Sequence, residues 1–317
     1  MRSIFLDYGT VSYGDLDPSA LEAVMPELEL RENTLQEAVE TVVEEAEVLL
    51  LNKLRLSGAI LRRARRLRLI ALAATGTDNI DLEAARALGI GVCNVRGYCT
   101  ASVAQHVWAL ILCLTQRLRE YGRLATDGSW SASEQFTLPA QPIRELAGRT
   151  LGIVGFGTLG GGVARIADAF GMRVLIANRP GAEPVPGRLE LDELLGVADV
   201  VSLHCPLTEA THGLIDARRL ALMRPDALLI NTARGALVDG AALVAALSAG
   251  RLGGAGIDVL AKEPPVDGDP LLDPAVPNLL VTPHVAWAAR EARQRCIDEM
   301  AANVADFIAG GRRARVV

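Results

Sequence analysis

Three short segments carry side chains able to do acid–base and carboxylate chemistry, and each follows an apolar run. Asn231-Thr232-Ala233-Arg234-Gly235 follows LLI, Gly256-Ile257-Asp258 runs on to Glu263 after GGA, and Thr282-Pro283-His284-Val285-Ala286-Trp287 follows LLV. A planar guanidinium grips a carboxylate through two parallel hydrogen bonds and polarises a neighbouring carbonyl. An imidazole titrates near neutrality, so it can hand a proton to a carbonyl oxygen as negative charge builds there. A carboxylate beside the ring stabilises the imidazolium. One Arg, one Glu and one His at one place are therefore suited to holding a carboxylate and protonating a neighbouring carbonyl oxygen. They meet only if the three apolar runs are neighbouring parallel strands, because ligands bind outside the carboxyl edge of such a sheet.

A fourth motif supplies the partner for that chemistry. Gly155-Phe156-Gly157-Thr158-Leu159-Gly160 follows the apolar run TLGIV and opens the helical stretch GGVARIADAF. A GxGxxG alone is a weak signal. Between a strand and a helix it describes a tight turn, a close approach of backbone to pyrophosphate, and a helix N-terminus facing the anion. An acid that holds the adenosine ribose is expected about 20 residues past such a motif. Asn178 stands there instead, followed by Arg179. A neutral amide does not repel a 2′-phosphate and a guanidinium can pair with one, so the expected cofactor is NAD(P)(H), with NADP(H) slightly favoured.

The elements that must position these groups alternate. Strand-like runs at residues 3–7, 48–52, 68–73 and 91–94 are separated by amphipathic stretches such as 34–46 and 81–88. A second series of strands starts at 150–154 and continues at 173–177, 198–203, 227–231, 255–259 and 279–282, and a terminal helix covers 291–308. Strands alternating with helices predict an α/β architecture of two doubly wound parallel sheets. Residues 101–120 read as one long apolar helix, able to bridge domains or subunits. The strandless stretch 125–142 reads as a functional or interfacial loop.

Bulk composition bounds the rest. The 317 residues fit two domains, half of them are apolar, and the net charge of −6 gives no general attraction to nucleic acid or anionic membrane. The basic run LRRARRLR, residues 61–68, reads as the solvated face of a short helix with its leucines inward. Five cysteines without a CxxC pair argue against a disulfide framework or a metal site. With no long apolar run and too short an apolar N-terminus for a signal peptide, the expected location is cytoplasmic.

Taken in order, ATGTDNIDLEAARALGI, SVAQHV, TLGIVGFGTLG, LHCPLTEATHGLI, INTARGALVD, GAGIDVLAKEPP and TPHVAW resemble the D-isomer-specific 2-hydroxyacid dehydrogenase family across nearly the whole chain. The resemblance implies that Arg234 binds the substrate carboxylate and carbonyl, that His284 is the acid/base and that Glu263 is its partner. It implies a substrate loop at Thr75 and Gly76, cofactor contacts at Cys205, Pro206, Thr232 and Ala233, and a nicotinamide contact at Asp258. It leaves Trp287 as either a wall of the substrate pocket or a core aromatic. It implies a flavodoxin-like substrate domain, residues 1–97 and 287–317, around a Rossmann dinucleotide-binding domain, 98–286, and a homodimer built on the long helix. The ending PHVAW looks most like the hydroxypyruvate reductase or glycerate dehydrogenase branch, so hydroxypyruvate/D-glycerate and glyoxylate/glycolate lead as substrates, with D-lactate-type activity as the enzyme alternative. A dinucleotide-sensing corepressor of the same fold is the alternative outside enzymes.

Overall fold

All strands pair in parallel and sort into two sheets. The computed structural model describes all 317 residues. They divide into two compact units, Met1–Cys99 with Trp287–Val317, and Thr100–Ala286.

The first unit holds β1 (Ser3–Phe5), β2 (Leu28–Leu30), β3 (Val48–Leu51), β4 (Leu69–Leu72) and β5 (Gly91–Cys93), in the order β2-β1-β3-β4-β5. This is the flavodoxin-like order, with its switch point between β1 and β3. VLLL of β3 and LIAL of β4 are buried throughout, as strands covered on both faces must be. Short helices α1 (Ser19–Val24), α2 (Val39–Val42), α3 (Gly58–Arg63) and α4 (Leu82–Ala87) supply the cover. Leu61 and Leu67 are buried, and Arg63 pairs with Glu40 and Glu44, so the basic run lies on α3 and its end with its leucines inward. At the switch point, buried Asp7 accepts the N–H groups of Asn52 and Lys53 at 2.8 and 2.7 Å.

The second unit begins with α5 (Thr100–Thr115) and α6 (Leu118–Thr126), followed by β6 (Thr150–Val154), α7 (Thr158–Ala169), β7 (Arg173–Ile176), α8 (Leu191–Val197), β8 (Val200–Leu203), α9 (Ala217–Leu222), β9 (Leu228–Asn231), α10 (Gly240–Ser248), β10 (Gly254–Ile257) and β11 (Leu279–Val281). Its sheet runs β11-β10-β9-β8-β6-β7, so the order reverses between β6 and β8. The last helix, α11 (Arg290–Ile308), belongs to the first unit, where it packs on α1 and β4.

Three elements differ from the sequence expectation. The helix expected over 101–120 is two helices, because Arg117 takes a left-handed φ of 53° and its guanidinium bonds the Asn278 side chain. Residues 34–46 form only a 3-10 turn and the four-residue α2. The strand β2 was not expected, since LEL is three residues long and half-buried. All five cysteines are unpaired thiols, four of them buried, and no helix is long and apolar enough to cross a membrane.

Candidate active site

Arg234, Glu263 and His284 all follow strands at one edge of the second sheet. Because β9, β10 and β11 are adjacent and parallel, their carboxyl ends share that edge. His284 Nδ1 lies 2.6 Å from Glu263 Oε2. A carboxylate can only accept, so Nδ1 carries the proton of this bond, and the proton that can be exchanged with a ligand is the one on Nε2. The other Glu263 oxygen accepts the Leu260 N–H at 2.8 Å, which fixes the carboxylate against its own loop. The two side chains are 28% and 33% exposed, so the pair is backed by protein yet open to a ligand.

The Arg234 turn is shaped from behind. Asn231 donates to the Arg234 carbonyl at 2.9 Å and accepts the Ala233 N–H at 3.1 Å. The Arg234 guanidinium donates to the Ala233 carbonyl at 2.8 Å. A Cβ on Gly235 would stand 1.9 Å from the Leu260 carbonyl carbon, so only glycine lets the arginine turn lie against the loop that leads to Glu263.

Asp258, 1% exposed, has a structural position in this arrangement. Its oxygens accept the Thr282 hydroxyl at 2.5 Å and the N–H groups of Val285 and Ala286 at 2.9 Å each. Three donors hold the carboxylate, and its side chain is fully covered.

The glycine turn lies at the switch point between β6 and β8. Gly155 has a φ of 99°, and a Cβ there would come within 2.5 Å of the Cys205 N. Gly160 sits against the Gly155 carbonyl, where a Cβ would meet oxygen at 2.3 Å. A Cβ on Gly157 meets nothing, so open space lies before the first turn of α7, where Thr158 is exposed and Leu159 half-buried. Gly157 caps that helix with no side-chain bond, leaving its first N–H groups to an anion. Two buried polar atoms without protein partners lie after neighbouring strands, Thr232 Oγ1 and His204 Nδ1. These features fit a dinucleotide. Burial pushes the Cys205 thiol up to about 11, so beside exposed Pro206 it presents a neutral apolar wall rather than a nucleophile. Ala233 is half-buried in the arginine turn.

At the end of β7, Asn178 is buried, its amide donating to Glu190 Oε1 at 2.7 Å and accepting the Val185 N–H at 3.0 Å. Both ends of the amide are used to close the loop that returns to α8. Arg179 next to it is exposed.

In the first unit, the Ala74–Thr77 turn follows β4. The Thr75 hydroxyl donates to the Val95 carbonyl at 2.7 Å and the Thr75 carbonyl accepts the Asn94 amide at 2.6 Å. The turn is thus braced on the end of β5, while the N–H groups of Thr75 and Gly76 point to no protein acceptor. The helix after it is capped by Asp81. Trp287, the first residue of the returning segment, is half-buried.

Sequence reasoning missed Asn231, Glu190, Thr282, Ser102 and His106, which act on site residues through hydrogen bonds. Asn231 had a local signal, an amide at a strand end just before the arginine turn. The others had none, since their partners lie between 12 and 184 residues away.

Comparison with known proteins bears on the same residues. Residues 108–286 match the family model described as D-isomer specific 2-hydroxyacid dehydrogenase, NAD binding domain. The chain is 44% identical over 302 residues to a glycerate dehydrogenase of Methylorubrum extorquens, covering 93% of this chain and 95% of that one. It is 33% identical to a hydroxypyruvate reductase of Blautia hydrogenotrophica, with 98% of each covered. A D-lactate dehydrogenase of Aquifex aeolicus, solved with NAD and lactic acid, superposes with a TM-score of 0.83 at 30% identity, over 98% of this chain and 96% of that one.

Proposed function

The chain belongs to the D-isomer-specific 2-hydroxyacid dehydrogenase family, an NAD(P)-dependent oxidoreductase acting on small 2-hydroxy or 2-keto acids, and from that premise we propose that its substrate pair is hydroxypyruvate and D-glycerate, with glyoxylate and glycolate as a second pair. The observation that carries the reading is the His284–Glu263 pair at 2.6 Å, on the strand edge shared with Arg234. The names of the two enzyme relatives support the choice among acids.

The nicotinamide, when bound, supplies or takes the hydride. The chain's residues do the rest. Arg234 grips the substrate carboxylate and polarises the carbonyl. The Thr75 and Gly76 N–H groups are the first unit's donors to substrate. His284 donates its Nε2 proton to the developing alkoxide, and Glu263 holds the ring by Nδ1 and stabilises its charge. Trp287 borders the substrate. Gly155, Gly157, Thr158, Leu159 and Gly160 cradle the pyrophosphate, and Cys205, Pro206, Thr232 and Ala233 flank the cofactor. Residues 1–97 and 287–317 act as the substrate domain and 98–286 as the dinucleotide domain.

Exposed Arg179 supports the slight preference for NADP(H). Steady-state reduction of a panel of 2-keto acids with NADH and NADPH tests the whole assignment. Hydroxypyruvate should give the highest kcat/KM, and Arg179→Ala should weaken NADPH use about tenfold more than NADH use, the loss of a charge-assisted phosphate contact. Absence of turnover with every 2-keto acid would overturn the reading. A homodimer through α5, α6 and the loop after them is supported by Leu118, Trp130, Phe136 and Ile143, which lie exposed at 52% or more. The unpaired thiols support a reducing, cytoplasmic setting.

A further inference from the structure

Two side chains one turn apart on α5 hold the two ends of the loop that carries His284, and we infer that Ser102 and His106 are positioning residues for proton transfer at that histidine. The inference rests on reading His284 as the proton donor.

The loop needs holding. His284 sits at a φ of 54°, a left-handed conformation that a residue with a side chain disfavours and that persists only where its surroundings enforce it. Its backbone N–H bonds the Asp258 carbonyl at 2.8 Å and the Thr282 carbonyl at 3.0 Å. The next two N–H groups, of Val285 and Ala286, end on the buried Asp258 carboxylate. The path of the backbone on both sides of His284 therefore depends on where Asp258 is held.

Proton counting gives the direction of the chain behind Asp258. Thr282 has one hydroxyl proton, and its Oγ1 lies 2.5 Å from Asp258 Oδ1, which can only accept. The hydroxyl proton is thereby committed to the carboxylate. The contact of 3.0 Å between His106 Nε2 and Thr282 Oγ1 must then be an imidazole N–H donating to the hydroxyl oxygen. His106 Nε2 also stands 3.5 Å from Asp258 Oδ1 itself. The series runs from His106 to Thr282 to Asp258, and the loop's own N–H groups meet it there. Ser102, at i−4 from His106 and so on the same face of α5, donates to the Ala286 carbonyl at 2.6 Å. One helix face thus fixes both Thr282 and Ala286, with His284 midway between them. Neither Ser102 nor His106 reaches a reacting atom in this scheme; each acts through the loop.

The test compares Thr282→Val, His106→Leu, their double variant, His106→Gln and Ser102→Ala, using hydroxypyruvate with NADH, alongside melting temperature and NADH affinity. Thr282→Val and His106→Leu should each lower kcat about tenfold, the scale of a sub-ångström misplacement of a reacting group. The KM for hydroxypyruvate and the Kd for NADH should change by less than about twofold, because neither residue binds them. Since both variants break one series, the double variant should fall little further, whereas independent effects would multiply to about a hundredfold. His106→Gln, which keeps an N–H donor at similar reach, should recover most of the loss. Should His106→Leu lower the melting temperature, Thr282→Val and Ser102→Ala carry the test, each removing only a hydroxyl function. Full kcat in folded single variants, or multiplicative loss in the double, would overturn the inference. An unmodified enzyme inert toward every 2-keto acid would overturn the functional reading and this inference with it.

Discussion

At the β9–β11 end of the second sheet's carboxyl edge, polar side chains are braced from behind and left open in front; at the β7 end the corresponding side chain is buried and held at both ends of its amide. Glu263 receives its brace from Leu260 and Arg234 from Asn231, partners only three residues away, so the loops are stiff by themselves. Asn178 is instead captured by Glu190, twelve residues on, and by the Val185 N–H of the intervening loop. A strand end fixes where a Cα lies. Whether the side chain faces a ligand depends on how many of its hydrogen-bonding groups the protein has already taken.

The largest effect expected from this contrast is at the braced end. Arg234→Gln keeps a donor but removes the charge and the two-pronged fork, so kcat/KM for hydroxypyruvate should fall by roughly two to three orders of magnitude, as when a preorganised donor is lost. Cofactor affinity should barely move. A loss under about fivefold in steady-state assays would show that Arg234 does not hold the substrate.

At the other end, substitution should read out in stability first. Asn178→Asp would set a second carboxylate against Glu190 at a partly buried contact, where like charges disfavour one another. The melting temperature should drop by about 5 °C, and adding Glu190→Gln should restore most of it. Were Asn178→Asp as stable as the unmodified enzyme and merely weaker with NADPH, the amide would face the ribose after all.

The smallest expected effect concerns His204, which follows β8 between the two ends. Burial pushes it from 6.5 down to about 4, so it is neutral in the fold near neutrality. As pH falls from 6.5 toward 4 the unfolded chain binds a proton that the folded chain refuses, and the stability His204 contributes above that window is lost. His204→Gln, which can keep a bond to Ser202, should therefore lose less stability over that window than the unmodified protein does in urea unfolding. Parallel profiles would mean that His204 titrates normally in the fold.

Much of this was legible in the sequence because it rests on short-range patterns. LLI, GGA and LLV ahead of Arg234, Glu263 and His284 gave strand ends, and TLGIV before Gly155 gave the nucleotide turn. The alternation of strand-like runs with amphipathic stretches pointed to parallel sheets. What stayed hidden depends on contacts distant in sequence. Arg117 breaks the long helix where its side chain meets Asn278, 161 positions away, and no local propensity signals it. The loop that bends Glu190 back to Asn178, 12 positions away, has no such pattern. Nor do Thr282, Val285 and Ala286, which enclose Asp258 from 24 to 28 positions away.

The role proposed for His284, held by Glu263, is to deliver the proton. The most direct measurement compares single-turnover reduction of hydroxypyruvate by the unmodified enzyme and by His284→Asn, with NADH affinity determined for both. His284→Asn should bind NADH as before and lose at least about a hundredfold in the reduction rate, the typical contribution of a general acid. An Asn variant that reduces hydroxypyruvate at a rate close to that of the unmodified enzyme would contradict it.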